Sequence, residues 1–113
     1  MTKYTWDCKT VDVYIEENQE ADVVYNVNWK VTGKSDVLNP NDIPYTATVI
    51  GEQLLTYNPD NPFISFSDLT NEIVTNWTQL TMGKKQVSNI ENNVQSKIDD
   101  LITPVISTLT IQD

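Results

Sequence analysis

Val23, Tyr25, Val27, Trp29 and Val31 alternate with Val24, Asn26, Asn28, Lys30 and Thr32. Successive side chains of a strand point to opposite faces, so this period of two predicts a strand with one covered face. Upstream, Val11, Val13 and Ile15 share one parity while Tyr4, Trp6 and Cys8 take the other. A bulge near Lys9-Thr10 would bring both sets to one face, or the two ends serve different neighbours. Between these strands, Glu16-Glu17-Asn18-Gln19-Glu20-Ala21-Asp22 reads as a polar hairpin loop. From Gly33 to Pro44 turn-forming residues predominate, which predicts a long surface connection. Tyr45 to Leu55 reads as a third strand, with Tyr45, Ala47 and Val49 on one face and Gly51 marking a bulge or bend. Asn58-Pro59-Asp60-Asn61-Pro62 then predicts a structured turn, anchored by Phe63, Ile64 and Phe66.

Beyond Leu69 the period changes. Thr70 is placed to cap a helix, Glu72 suits its positive end, and Ile73, Val74, Trp77 and Leu80 form its apolar stripe. Gly83 supplies the left-handed residue that closes a helix. Val87, Ile90, Val94, Ile98 and Leu101 then recur three or four apart, the signature of a second amphipathic helix. Pro104 bars its continuation, and Val105, Ser107, Leu109 and Ile111 alternate as a closing strand. The expected fold is a single α+β domain over residues 1–113. It comprises a mostly antiparallel four-stranded sheet with a helical hairpin on one face, in the order β-β-β-α-α-β.

The residues absent from the chain narrow its chemistry. There is no histidine and no arginine, and Cys8 is the single cysteine. An imidazole-based relay cannot be built, a structural zinc site lacks its ligands, and no bidentate fork for phosphate is available. Three glycines leave no phosphate-cradling loop. No enzyme, no cofactor and no metal are expected. Calcium would look to Glu16, Glu17, Glu20 and Asp22, yet their spacing is not that of a calcium loop and no glycine lies among them. Sixteen acidic residues against seven lysines give a net charge of −9, which repels nucleic acid and anionic membranes. No signal peptide or membrane-spanning segment is evident, so the expected site of synthesis is cytoplasmic and Asn76-Trp77-Thr78 is not read as a glycosylation site.

The stretch Ser67-Asp68-Leu69-Thr70 through Trp77, with Met82-Gly83-Lys84-Lys85-Gln86-Val87, Ile90-Glu91, Thr103-Pro104 and the preceding Val23-Val24-Tyr25-Asn26-Val27-Asn28-Trp29 strand, resembles a family of small proteins of marine tailed phages. The resemblance spans nearly the whole chain and carries no catalytic motif. It implies a virion component, made in the host cytoplasm, that decorates the capsid or sits at the head–tail junction. Its partners would be other virion proteins or copies of itself, repeated by symmetry. The other class is an acidic host-directed inhibitor or nucleic-acid mimic whose carboxylates fill a basic cleft. The expected contact residues are Tyr4 and Trp6, on a strand edge open to a neighbour, and the carboxylates Glu16, Glu17, Glu20 and Asp22.

Overall fold

The computed structural model describes residues 1–17, 19–56, 64–103 and 109–112. Strands β1 (Lys3–Glu17), β2 (Glu20–Leu38) and β3 (Pro44–Leu54) are followed by a short 3-10 turn at Phe66–Asp68 and by helices α1 (Asn71–Met82) and α2 (Lys84–Ile102). The strands form one antiparallel sheet in the order β1-β2-β3. The class is α+β, but the expected fourth strand is corrected. Among the described residues the sheet has three strands, and the order is β-β-β-α-α. The segment expected to close it, Val105 to Ile111, lies mostly outside the described residues. Where it is described, from 109 on, it carries no strand, and Leu109 and Ile111 are exposed. Alternation permits a strand, but only a paired edge makes one, and β3 has β2 as its sole neighbour among the described residues.

Of the two ways to reconcile the parities of β1, the molecule uses the bulge. The ladder slips between Asp7 and Thr10, so Trp6 sits opposite Val31 and Val11 opposite Val27. That one inserted residue returns Tyr4, Trp6, Cys8 and Val11 to the side of the sheet where the core lies. A second slip separates Asp12 from Val13.

Two segments read as loops prove to be strand. β2 runs straight through Gly33 to Leu38, and both Gly33 and Ser35 are buried. A Cβ at Gly33 would lie 2.5 Å from Val94 Cγ1 and 3.1 Å from Ile98 Cδ1, so glycine there permits α2 to approach the sheet. The connection shrinks to a turn in which Asn39 Oδ1 accepts from the amides of Asn41 (2.8 Å) and Ile43 (3.1 Å), with Asp42 at φ 62°. At the other end, Glu16 pairs with Ala21 and Glu17 with Glu20, so the acidic segment is ladder up to a tight reversal. Gly51 is no bulge either. It pairs in register with Trp29, and a Cβ there would stand 2.3 Å from the indole. Glycine leaves that space to the ring.

The helices cover one face. Thr70 caps α1, its hydroxyl accepting from the amide of Ile73 at 3.2 Å, and Gly83 at φ 87° joins α1 to α2. Along α1 the buried line is Val74 and Thr78, with Trp77 packed beside it, whereas Leu80 is 81% exposed. Thr78 is four residues on from Val74 and so stays on its face, while Leu80, six on, has rotated away. The hydroxyl of Thr78 donates to the carbonyl of Val74 at 2.8 Å, which satisfies it in the core. Along α2, Ile90, Val94 and Ile98 face the sheet and Leu101 remains half exposed. The core joins these to Trp6, Cys8, Val27, Trp29, Val31 and Val74.

Candidate interaction surfaces

The sheet outruns its cover. Pairing of β3 ends at Asn26 opposite Leu54, while β1 and β2 continue to pair through Val13–Val24, Tyr14–Val23, Glu16–Ala21 and Glu17–Glu20. The result is a two-stranded ribbon at one end of a molecule 69 Å long and 33 by 26 Å across. On this ribbon Tyr14 stacks on Tyr25, ring centroids 4.5 Å apart, and Tyr14 and Ile15 are 45% and 83% exposed. Glu16, Glu17 and Asp22 are exposed around them, and Glu20 is partly buried. The structure thus gathers the four carboxylates singled out in the sequence at one end of the sheet. The chain has no lysine between Lys9 and Lys30, so this end is acidic throughout. Among the described residues, no group of three or more His, Cys, Asp or Glu is arranged to hold a metal ion.

Tyr4 and Trp6 are placed elsewhere. Both lie beneath α2, where the Trp6 indole donates to Glu91 Oε2 at 2.9 Å and the Tyr4 hydroxyl to Gln95 Oε1 at 3.2 Å. Trp6 is buried and its ring lies 5.9 Å from that of Trp29. Burial, with Glu91 and Asp99 nearby, raises the Tyr4 phenol above the usual value of 10.0. These aromatics belong to the core, which corrects the expectation that they line an open contact edge. The edge itself is partly closed by Asn71, the first residue of α1. Its Oδ1 accepts from the Cys8 amide at 2.7 Å, and its Nδ2 donates to the Trp6 carbonyl at 3.0 Å. A side-chain amide thereby takes the place of a neighbouring strand's peptide. Nothing local marks Asn71 for this role, because its partners lie more than sixty residues away in the chain.

Among the described residues the uncovered face carries polar side chains together with Ile50 and Leu54. Asp12 Oδ2 accepts from Asn26 Nδ2 (2.8 Å) and Asn28 Nδ2 (3.2 Å), while Thr32 and Thr48 hydroxyls meet at 3.1 Å. A shallow groove lies beside the bulge, lined in part by Asp7, Lys30, Ile50 and Glu52. Ile50 and Leu54 are 75% and 69% exposed. The parity of β3 carried that signal: both alternate with Tyr45, Ala47 and Val49, which face the core. At the remaining end, the Met1 α-ammonium binds Asp36 and lowers that carboxyl below its usual 3.8.

No helix among the described residues is long and apolar enough to cross a membrane. Comparison with curated proteins and with solved structures gives no match. A family model does match, over residues 1–110, and the chain therefore belongs to the family described as Domain of unknown function (DUF7936).

Proposed function

We propose that the chain is a non-enzymatic phage virion component, a capsid-decoration or head–tail accessory protein that works through protein–protein contacts of the β1–β2 ribbon. The observation that carries this reading is the ribbon itself, which lifts Tyr14 and Ile15 clear of the body with Glu16, Glu17 and Asp22 beside them. Aromatic and aliphatic groups on a projecting arm suit a pocket on a neighbouring subunit, and surrounding carboxylates select a pocket with a basic rim. The phage setting rests on the sequence resemblance. A chain with no histidine and no arginine is poorly equipped for general-base or phosphate chemistry, which supports contacts rather than turnover. Its partners in this reading are other virion proteins or further copies of itself, with nucleic acid and membranes disfavoured by the net charge of −9.

Quantitative mass spectrometry of purified particles of the encoding phage tests the proposal. The expected result is the chain in fixed stoichiometry to the major capsid or tail proteins. A chain abundant in infected-cell lysate and missing from particles overturns it, and favours an acidic host-directed inhibitor.

A further inference from the structure

The two edges of the sheet are built differently. β1 carries six charged residues, Lys3, Asp7, Lys9, Asp12, Glu16 and Glu17, and its ladder slips twice. The Asn71 amide also occupies the backbone of Trp6 and Cys8. Charges, bulges and covered backbone groups are the means by which proteins keep an edge strand from pairing with another chain. β3 has almost none of them. Over Pro44–Leu54 its only charged residue is Glu52, and proline stands only at its first position. Its ladder with β2 slips once, at its start between Leu38–Pro44 and Lys34–Thr46, and then stays in register to Asn26 opposite Leu54. β2 is its only partner strand among the described residues.

From this contrast we infer that β3 is a self-association edge, which pairs antiparallel with β3 of a second copy across a two-fold axis. Charge directs any contact between two copies to this edge. With a net charge of −9, two copies repel over most of their surface, and contact costs least along an uncharged strand. A two-fold contact sets the same segment against itself, and antiparallel pairing is the arrangement that such an axis gives two identical strands lying side by side. The two three-stranded sheets become one. Ile50 and Leu54, exposed on the uncovered face, then lie close to the joint. The acidic ribbons, which leave the sheet beyond Leu54, are not needed for the pairing. The inference therefore stands or falls separately from the ribbon's role in a particle.

Sedimentation velocity of the full chain across a wide concentration range reads the association directly. A dimer that fills with concentration is expected, together with slowed hydrogen exchange at the amides of β3 as it fills. Ile50→Lys adds a charge at an exposed position of β3 and should raise the dimer dissociation constant by about tenfold or more. Thr46→Lys, also exposed, provides the same readout if the first variant misfolds, and Thr5→Lys, exposed on the opposite edge strand β1, should leave the constant unchanged. A chain that stays monomeric throughout overturns the inference. So does a dimer that is indifferent to both β3 lysines and leaves the β3 amides unprotected.

Discussion

The two ends of the β1–β2 ladder carry the same kind of alternating sequence and meet opposite surroundings. At one end Tyr4, Trp6 and Cys8 pack beneath the helices; at the other Tyr14 and Ile15 face solvent beside carboxylates. Alternation assigns residues to faces, and the lengths of the covering elements decide which part of a face is dry. β2 and α2 each contain 19 residues. At about 3.3 Å per residue the strand is about 63 Å long, while the helix at 1.5 Å per residue reaches only about 28 Å. A helix can therefore cover less than half of a strand with the same number of residues. The uncovered remainder becomes ribbon.

The sharpest test of this contrast sets Trp29 against the ribbon. Trp29 is buried against Gly51 and Trp6, so Trp29→Ala should cost about 3–5 kcal/mol in chemical denaturation. Among the described residues its indole nitrogen has no hydrogen-bond partner. Trp29→Phe then forfeits no bond and should cost less than half as much. A Trp29→Ala protein as stable as the parent would remove the covered end from the comparison altogether.

Asn71 comes next. Asn71→Ala leaves the Cys8 amide and the Trp6 carbonyl without their partner, and should destabilise the chain by about 1–3 kcal/mol. Faster hydrogen exchange at Cys8 would locate the loss on the β1 edge. Unchanged exchange there, with the same loss of stability, would assign Asn71 to the helix start alone.

These residues also mark how far the sequence could be read. The strand of Val27, Trp29 and Val31, the cap at Thr70, the closing glycine Gly83 and the Ile90, Val94, Ile98 stripe are local patterns, and each recurs in the fold. The bulge in β1 was one of two ways to explain its parities, and only the packed helices decide between them. Gly33 and Gly51 misled because glycine serves both turns and close packing, and the atoms that need the space, Val94 and the Trp29 ring, come from other elements. Of the candidate contact residues, the carboxylates lie on an accessible surface because a charge stays wet wherever it is placed. Trp6 does not, and Tyr4 does so only in part, since an aromatic on a strand suits a core as well as an interface, and only the partner element distinguishes the two.

A subtler asymmetry lies in pH. The Tyr4 phenol is raised above 10.0, chiefly by burial and then by Glu91 and Asp99, so the folded chain holds this proton more tightly than the unfolded one. Below the unfolded value both states are protonated and the contribution is fully present. As pH rises from there through the folded value, the unfolded state releases the proton first and stability falls. Denaturation midpoints measured above about pH 10 should therefore drop less steeply in Tyr4→Phe than in the parent. Identical slopes would mean that the phenol titrates alike in both states.

The smallest effect on folding belongs to the ribbon. Ile15 is 83% exposed, so Ile15→Ser should change stability by no more than about 0.5 kcal/mol. If the ribbon is a contact arm, the same substitution, or Tyr14→Ala beside it, should lower incorporation into particles several-fold while the thermal melt stays put. The controls differ in kind: Tyr14 stacks on Tyr25, so its removal disturbs the ribbon, whereas removal of Ile15 takes away only an apolar surface. Loss of incorporation in Tyr14→Ala alone would point to the shape of the ribbon. Loss in both would point to an apolar pocket on the partner, because a serine at position 15 leaves the neighbouring carboxylates in place and removes only what water already surrounds.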